Sequence, residues 1–288
     1  MTARWSAGPV ELPGAVRYTL ITGDGPTDRW RVEVAVPPAA TRGEHAPVPV
    51  LYVLDGFLTF LTTAQIAQNM LAFSLGQFRP VAVVGISPAT DDRTRLSTRR
   101  PRDLTPTVAA PGYHLGEAPY GTGRADAMLG LIREVIAPHV EAAHRLDPSD
   151  RGVAGFSLGG LFTCWALVCR PEGFRKFLAV SPSLWWDDRL LLDPDRARFA
   201  DREASDVYLA VGELEDGPGR SWPAMPATMR QALSALDMVA DLAAFTERLR
   251  AQGKIDVRSE VIPGEQHATV WPAAVTRGLL HLYRTSPS

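Results

Sequence analysis

The chain has 288 residues, 45% of them hydrophobic, and a formal net charge of −2. This length and apolar content suffice for one large core, and the near balance of charge excludes a bulk electrostatic attraction to nucleic acid or to anionic membranes. The two cysteines, Cys164 and Cys169, lie five residues apart in one predicted helix, so we expect free thiols and neither a disulfide nor a zinc site.

The N-terminal segment, MTARWSAGPVELPG, has one arginine but lacks the apolar region of a signal peptide. No apolar run approaches the roughly 18 residues of a membrane-spanning helix. We therefore expect a cytoplasmic protein. The next elements, AVRYTLI and RWRVEVAVP, flank the turn TGDGPTD and predict an antiparallel hairpin.

Two continuous apolar runs follow, VPVLYVLD at residues 48–55 and PVAVVGI at residues 80–86. Such runs are typical of strands that are buried on both faces of a mostly parallel sheet. Residues 57–73 between them predict a helix. Residues 87–123 are polar and rich in Arg, Thr, Pro and Gly, so we expect a long functional loop there.

Helices and strands then alternate to the end of the chain. The predicted strands are RGVAGF, KFLAVSP, DVYLAVG and DVRSEVI, and helical spacing of apolar residues appears between them and after the last. This order predicts an α/β protein of the α/β-hydrolase type, with a mostly parallel central sheet, an N-terminal antiparallel hairpin and helices on both faces. We find no repeat and no linker, so residues 1–288 are predicted to form a single domain with the long loop inserted.

The stretch RGVAGFSLGGLF joins a predicted strand to a predicted helix. Gly155, Ser157 and Gly159 fit the pattern Gly-x-Ser-x-Gly in the context of a nucleophile elbow, a sharp turn that exposes the serine at the carboxyl edge of the sheet. An N-capping serine in a glycine-rich turn is the alternative interpretation. The flanking strand and helix favour Ser157 as a nucleophile.

A nucleophilic serine needs a base, which in this fold follows the serine in the chain. Of six histidines, only His267 and His281 do so. His281 belongs to the predicted C-terminal helix, whereas His267 lies in the loop PGEQHATVWP, directly after the last strand. A loop at a strand end can bring its imidazole over the serine, so we predict His267 as the base.

The acid that orients the base is expected after the strand DVYLAVG, where Glu213, Glu215 and Asp216 compete. Successive side chains of an extended chain point in opposite directions, so the side chains of Glu213 and Glu215 should point the same way and that of Asp216 the opposite way. We favour Glu215. A Ser–His dyad without an acid stays open. The backbone N–H groups of Phe57 and Leu158, which open the helices after two strand ends, are the predicted oxyanion donors.

The motifs YVLDG, RPRDLTP, GVAGFSLGGLF, AVSPSLWWDD, VGELE and HATVWP together resemble the putative-esterase family of α/β-hydrolases. That family includes enterochelin and other ferric-siderophore esterases and, more distantly, esterase D-type enzymes and mycolyltransferases. The likeness covers roughly residues 48–272. It implies Ser157 as nucleophile, His267 as base and Glu215 as acid.

The resemblance also implies a small-molecule ester substrate, such as a trilactone siderophore or a related natural product of aromatic or anionic type. Trp185 and Trp186 follow a strand end, where we expect either an aromatic wall for the substrate or core packing. Arg102 and Arg124 are candidate contacts to an anionic substrate, with a solvated surface role as the alternative.

The predicted activity is hydrolysis of a carboxylic ester through an acyl-enzyme, without a metal or cofactor and without a nucleic-acid or membrane partner. Two alternatives keep the same fold. In the first, an alcohol or amine replaces water, which gives an acyltransferase or cyclase. In the second, the fold is catalytically silent and serves binding. The sequence does not indicate an oligomeric state.

Overall fold

Eight strands form one sheet in the order β1-β2-β4-β3-β5-β6-β7-β8 in the computed structural model. It describes residues 11–25, 28–37, 47–108, 118–217, 220, 227, 231 and 234–285. The strands are β1 Ala15–Ile21, β2 Arg29–Ala35, β3 Val48–Leu54, β4 Ala82–Pro88, β5 Leu146–Phe156, β6 Lys176–Val180, β7 Ser205–Gly212 and β8 Ile255–Ile262. The helices are α1 Gly56–Phe73, α2 Arg93–Leu104, α3 Ala125–Gly130, α4 Ala137–His144, α5 Leu158–Cys169, α6 Trp186–Arg189, α7 Met238–Arg250 and α8 Val270–Leu282.

The sheet is parallel from β4 to β8 and antiparallel at its N-terminal edge. The hairpin β1–β2 pairs Ala15 with Ala35, and β2 pairs antiparallel with β4. The strands β4, β3, β5, β6, β7 and β8 then run in one direction. All seven residues of β3 are buried, as the continuous apolar run predicts for a central strand. These pairings confirm the predicted α/β-hydrolase architecture.

Two apolar layers cover the faces of the sheet. On one face, α3, α5 and α7 pack through residues such as Leu129, Phe162 and Phe245. On the other face, α1 and α8 pack through residues such as Phe60 and Val275. Helices therefore cover both faces of the sheet. The carboxyl ends of the strands are where a ligand site is expected in such a sheet. Within the described ranges, no helix is long and apolar enough to cross a membrane.

The prediction of a long loop over residues 87–123 is wrong for its first half, where α2 forms. Asp92 caps this helix by accepting hydrogen bonds from the N–H groups of Thr94 and Arg95. The buried positions of α2 include Arg99 and Asp103, which pair with each other at 3.2 Å. Charged residues at buried positions conceal the apolar periodicity on which helix prediction depends. Residues 109–117 lie outside the described part of the chain.

Candidate active site

Ser157 lies between β5 and α5 in a strained backbone conformation, with φ 59° and ψ −116°. Its N–H donates to the carbonyl of Val180 at 3.0 Å, which ties the turn to the neighbouring strand β6. A Cβ atom on Gly155 would lie 2.1 Å from the carbonyl oxygen of Gly159, so only glycine permits this turn. The sequence expectation of a sharp strand–turn–helix at Ser157 matches this geometry.

His267 lies in the loop between β8 and α8, with its Nε2 atom 3.1 Å from Ser157 Oγ. The ring of Phe156 supports the imidazole, with ring centroids 4.6 Å apart and planes inclined by 36°. The N–H of Leu214 donates to the carbonyl of Glu265 at 3.0 Å, which joins the loop after β7 to the loop that carries His267. The imidazole is thus held over the serine from two directions.

Glu215 completes a chain of hydrogen bonds. Its Oε2 lies 2.6 Å from His267 Nδ1, and its Oε1 accepts from Ser181 Oγ at 2.6 Å and from the N–H of Gly212 at 2.8 Å. The side chain is 1% exposed. Because the carboxylate accepts at Nδ1, the proton belongs on that nitrogen, and Nε2 presents its lone pair to Ser157.

The two competing acids lie elsewhere. The exposed Glu213 accepts from the N–H of Gly264 at 2.8 Å, and Asp216 pairs with Arg220 at 2.6 Å. In the described structure, Glu215 is the member of the three that contacts His267. The structure therefore brings together Ser157, His267 and the acid that the sequence favoured.

The predicted oxyanion donors stand in the first turns of two helices, Phe57 in α1 and Leu158 in α5. N–H groups in a first turn have no acceptor within their own helix, so they are available to an anion. The two turns adjoin, since a Cβ atom on Gly159 would lie 3.2 Å from Asp55 Oδ2. Asp55 makes no side-chain capping bond to α1, so it is not the simple helix cap that its position suggests.

Several side-chain contacts around the site were missed by sequence reasoning. Arg100 of α2 donates two hydrogen bonds to the Asp55 carboxylate, at 2.8 and 2.9 Å. Ser181, with φ 42°, holds Glu215. Ser183 Oγ lies 3.5 Å from Ser157 Oγ, and the Ser183 N–H donates to the Ser157 carbonyl at 3.1 Å. The available signal was the segment AVSPS at a strand end beside the elbow strand.

The two tryptophans separate into different environments. Trp186 is 1% exposed, belongs to the main apolar cluster and donates from Nε1 to Thr107 Oγ1 at 3.0 Å. A substrate cannot lie against a side chain so enclosed, so the expectation of an aromatic wall is wrong for Trp186. Trp185 is partly exposed and packs at the edge of the same cluster, so it remains a predicted substrate contact.

Arg102 and Arg124 border one cavity of about 200 Å³, together with Asp103. Arg102 donates to Asp103 Oδ1 at 2.9 Å, and Arg124 is exposed. The described residues that line this cavity do not include Ser157. The structure thus brings the two arginines together at one cavity without placing them at the serine, and their contact with substrate stays a prediction.

A larger cavity, of about 590 Å³, opens near the starts of β6 and β7, the edge of the sheet opposite to Ser157. It is lined by charged residues that pair with one another, including Arg175 with Glu203 and Lys254 with Asp201. Cavity size therefore does not locate the chemistry of this molecule. The hydrogen-bonded chain from Glu215 through His267 to Ser157 is the candidate active site.

Comparisons with known proteins show the family of the chain. Residues 26–282 match the family model described as Putative esterase. The siderophore triacetylfusarinine C esterase of Aspergillus fumigatus is 28% identical over 298 residues, 97% of this chain and 96% of that protein. The ferri-bacillibactin esterase BesA of Bacillus subtilis is 29% identical over 248 residues, 81% and 78% of the two chains. The solved structure of siderophore hydrolase EstB from Aspergillus nidulans gives a TM-score of 0.79 at 26% identity, covering 98% of each chain.

Proposed function

Since the chain belongs to the Putative esterase family, we propose that this carboxylic ester hydrolase cleaves siderophore-type esters with Ser157 as nucleophile, His267 as base and Glu215 as acid. The observation that carries the proposal is the continuous hydrogen-bonded chain from Glu215 through His267 to Ser157, with links of 2.6 and 3.1 Å. This arrangement lets a neutral imidazole remove a proton from a hydroxyl that is otherwise a weak nucleophile.

Acylation begins when His267 Nε2 accepts the Ser157 proton as Oγ attacks the ester carbonyl carbon. The carbonyl oxygen becomes an oxyanion and accepts hydrogen bonds from the N–H groups of Phe57 and Leu158. Glu215 stabilises the imidazolium that forms and holds its orientation. The imidazolium then protonates the departing alkoxide, the C–O bond breaks, and an acyl-enzyme remains on Ser157.

Deacylation repeats these steps with water. His267 takes a proton from a water molecule, whose oxygen attacks the acyl carbon, and the same two N–H groups stabilise the second oxyanion. Collapse releases the carboxylic acid and returns the proton to Ser157 Oγ. Hydrolysis is complete with groups that this chain supplies.

The names of two relatives that cover most of this chain support the substrate class. The relative that aligns with nearly the whole chain is named as a triacetylfusarinine C esterase, and a second is named as a ferri-bacillibactin esterase. These names share the chemistry of a siderophore ester. The partly exposed Trp185 suits a large ester with a flat or apolar part.

The test compares Ser157→Ala with Ser183→Ala, which alters the hydroxyl 3.5 Å away. Both variants are assayed with p-nitrophenyl acetate and with a ferric trilactone siderophore. We expect Ser157→Ala to lose at least about 10³-fold in kcat on both substrates, while Ser183→Ala keeps measurable turnover and reacts with a fluorophosphonate probe. Wild-type turnover by Ser157→Ala would refute the nucleophile assignment. Turnover of the acetate without any turnover of the trilactone would refute the substrate class alone.

A further inference from the structure

We propose that the edge strand β8 pairs with β8 of a second copy of this chain, so that two molecules form one continuous sheet about a two-fold axis at Val257. The proposal concerns an interaction surface and does not depend on the proposed function. It rests on two features of β8, which are an unpaired backbone edge and a self-complementary order of charges.

The strand β8 is the last of the sheet and pairs with β7 on one side. All of its residues are described, and Ile262 is the buried one among them, whereas in β7 every residue except Asp206 is buried. The edge of a sheet presents a row of N–H and C=O groups that can serve as a template for another strand. The surface beside β8 therefore fits a partner in extended conformation.

The backbone groups that point outward from β8 belong to its odd-numbered residues. The N–H of Ser205 in β7 donates to the carbonyl of Lys254 at 2.9 Å, so Lys254 and every second residue after it direct their backbone groups toward β7. Val257 and Ser259 therefore direct theirs away from the sheet. In the described part of the chain, no hydrogen bond from another element reaches these outward groups.

The charged side chains of this edge alternate in sign along one face. Lys254, Asp256, Arg258 and Glu260 occupy every second position, so they share a face of the strand. Arg277 of α8 donates to Glu260 at 2.9 Å, which places this face on the side of α8. The side chains of Lys254 and Arg258 are 60% and 59% exposed, so a second copy can reach them.

An antiparallel pairing centred on Val257 sets each of these charges opposite a charge of the other sign. Asp256 of each copy lies opposite Arg258 of the other, and Lys254 lies opposite Glu260. A shift of the centre by one residue opposes like charges, and a shift by two leaves half of the charges without an opposite one. The order of charges therefore selects one register, and that register is symmetric, as a two-fold interface requires.

The same register satisfies the outward backbone groups. The two Val257 residues exchange both of their N–H···O bonds, and the N–H of each Ser259 donates to the carbonyl of Ile255 in the other copy. The charged pairs then occupy the positions without hydrogen bonds, where opposed side chains lie closest. The side chains of Ile255 and Val257 stay packed against the main apolar cluster of their own copy.

The charges of β8 also have contacts within one copy, and these leave room for the second. Arg258 pairs with Glu260 at 2.6 Å, and Lys254 lies 3.4 Å from Asp201, which is fully exposed. Exposed pairs of this kind contribute little to stability, so their rearrangement is not a barrier to association.

The opposite edge of the sheet has no such order of charges. The strand β1 contains one charged residue, Arg17, which pairs with Glu33 of β2 at 2.7 Å. Its side chain is 62% exposed, close to the 59% of Arg258. Arg17 therefore supplies a matched control, an arginine of equal exposure on the other edge strand.

The experiment measures the oligomeric state of the full chain by sedimentation velocity over about 1–100 µM. We expect the wild type to sediment as a dimer, with twice the monomer mass of 31.3 kDa. Asp256→Arg and Arg258→Glu each oppose like charges at two symmetry-related places, so each should raise the dimer Kd at least about tenfold. Arg17→Glu should leave the Kd unchanged.

A mixture of the two single variants gives the sharpest readout. Asp256→Arg makes both facing positions positive, and Arg258→Glu makes both negative. An equimolar mixture should therefore form a heterodimer with a Kd near that of the wild type, and the double variant should dimerise again. Variants that fail to fold cannot show this recovery, so it separates the interface from a loss of structure.

Val257→Pro tests the backbone at the axis. It removes an N–H that points away from β7, so the β7–β8 ladder is retained, as far-UV circular dichroism will check, and the chain should become monomeric. A wild type that is monomeric at about 100 µM would overturn the proposal. So would a dimer that persists in Val257→Pro and in both charge variants, since another surface would then join the copies, or single variants that stay monomeric when mixed.

Discussion

Replacement of Glu215 by glutamine removes one charge without changing the shape of the side chain, and the hydrogen bonds dictate the outcome. The N–H of Gly212 can only donate, so the oxygen of the introduced amide must keep the place of Oε1, 2.8 Å from that nitrogen. The amide NH₂ then faces His267 Nδ1, in the place of Oε2 at 2.6 Å. An NH₂ group can only donate, so Nδ1 must accept and the ring proton moves to Nε2.

With the proton on Nε2, His267 has no lone pair directed at Ser157 and cannot remove its proton. The amide also lacks the negative charge that stabilises an imidazolium. In triads with the same arrangement, this exchange costs about 10⁴ in kcat, and we expect 10³–10⁴ for Glu215→Gln. At about 1.36 kcal/mol for each factor of ten, this corresponds to roughly 4–5.5 kcal/mol of transition-state stabilisation.

The assay is p-nitrophenyl acetate hydrolysis per titrated active site, with urea unfolding as a check on stability. Glu213→Gln and Asp216→Asn are the matched controls. The Glu213 and Asp216 carboxylates bind the N–H of Gly264 and the side chain of Arg220, respectively. Both controls should keep kcat within about twofold. If Glu215→Gln keeps more than about a tenth of wild-type kcat, the protein works with a Ser–His dyad and the reasoning is wrong.

Three further predictions concern the stability of the fold. Gly155→Ala should abolish soluble expression or activity, because the added Cβ would lie 2.1 Å from the carbonyl oxygen of Gly159. In Gly159→Ala the nearest atom to the added Cβ is Asp55 Oδ2 at 3.2 Å, so this variant should give more soluble protein in a matched expression test. Tyr52→Phe should lower the free energy of urea unfolding by about 1 kcal/mol, since it removes a 2.7 Å hydrogen bond to Glu141; no change would show that the bond contributes nothing. Burial and, to a smaller extent, a neighbouring histidine lower the pKa of His144, so the unfolded chain binds more protons as pH falls through about 6.5. Stability should therefore fall between pH 7.5 and 5.5, and fall less in His144→Gln; an equal fall in both proteins would contradict this role.

The sheet could be predicted because its signals are local. The hairpin appears as two β-rich segments around a glycine turn, and β3 as an uninterrupted apolar run; both form at the expected residues. The helix α2 could not be predicted in the same way. Its buried face contains Arg99 and Asp103, whose burial depends on their pairing and on the Trp30 ring 4.4 Å from Arg99. Trp30 lies on β2, far from α2 in the sequence, so no local sequence pattern reveals this contact.

The central chain of the site could be predicted because chain order and strand ends determine it. Ser157 has an elbow motif, and His267 lies in the loop after the last strand. The supporting residues have no such signal. Arg100 lies 45 residues from Asp55, and Ser181 lies 34 residues from Glu215. The strand order, which places β4 beside β3 and β6 beside β7, brings these pairs together.

Three of these neighbouring strands end in a non-glycine residue with positive φ: Asp55 after β3, Ser157 after β5 and Ser181 after β6. Each strained residue serves one group of the proposed reaction. The turn at Asp55 presents the Phe57 N–H, the turn at Ser157 presents the nucleophile, and Ser181 holds the acid. Strain of this kind costs about 1–3 kcal/mol at each position and persists only where the surroundings fix it.

The contacts that hold the strained backbone differ among Asp55, Ser157 and Ser181. Ser157 and Ser181 donate their own N–H groups to carbonyls of the adjacent strand, those of Val180 and Ala210, at 3.0 and 2.7 Å. Asp55 is held by a side chain, the guanidinium of Arg100. Backbone anchors survive any substitution except proline, whereas a side-chain anchor is lost in one mutation. Of the three turns, the one at Asp55 is therefore the one whose fixing contact a single side-chain substitution removes.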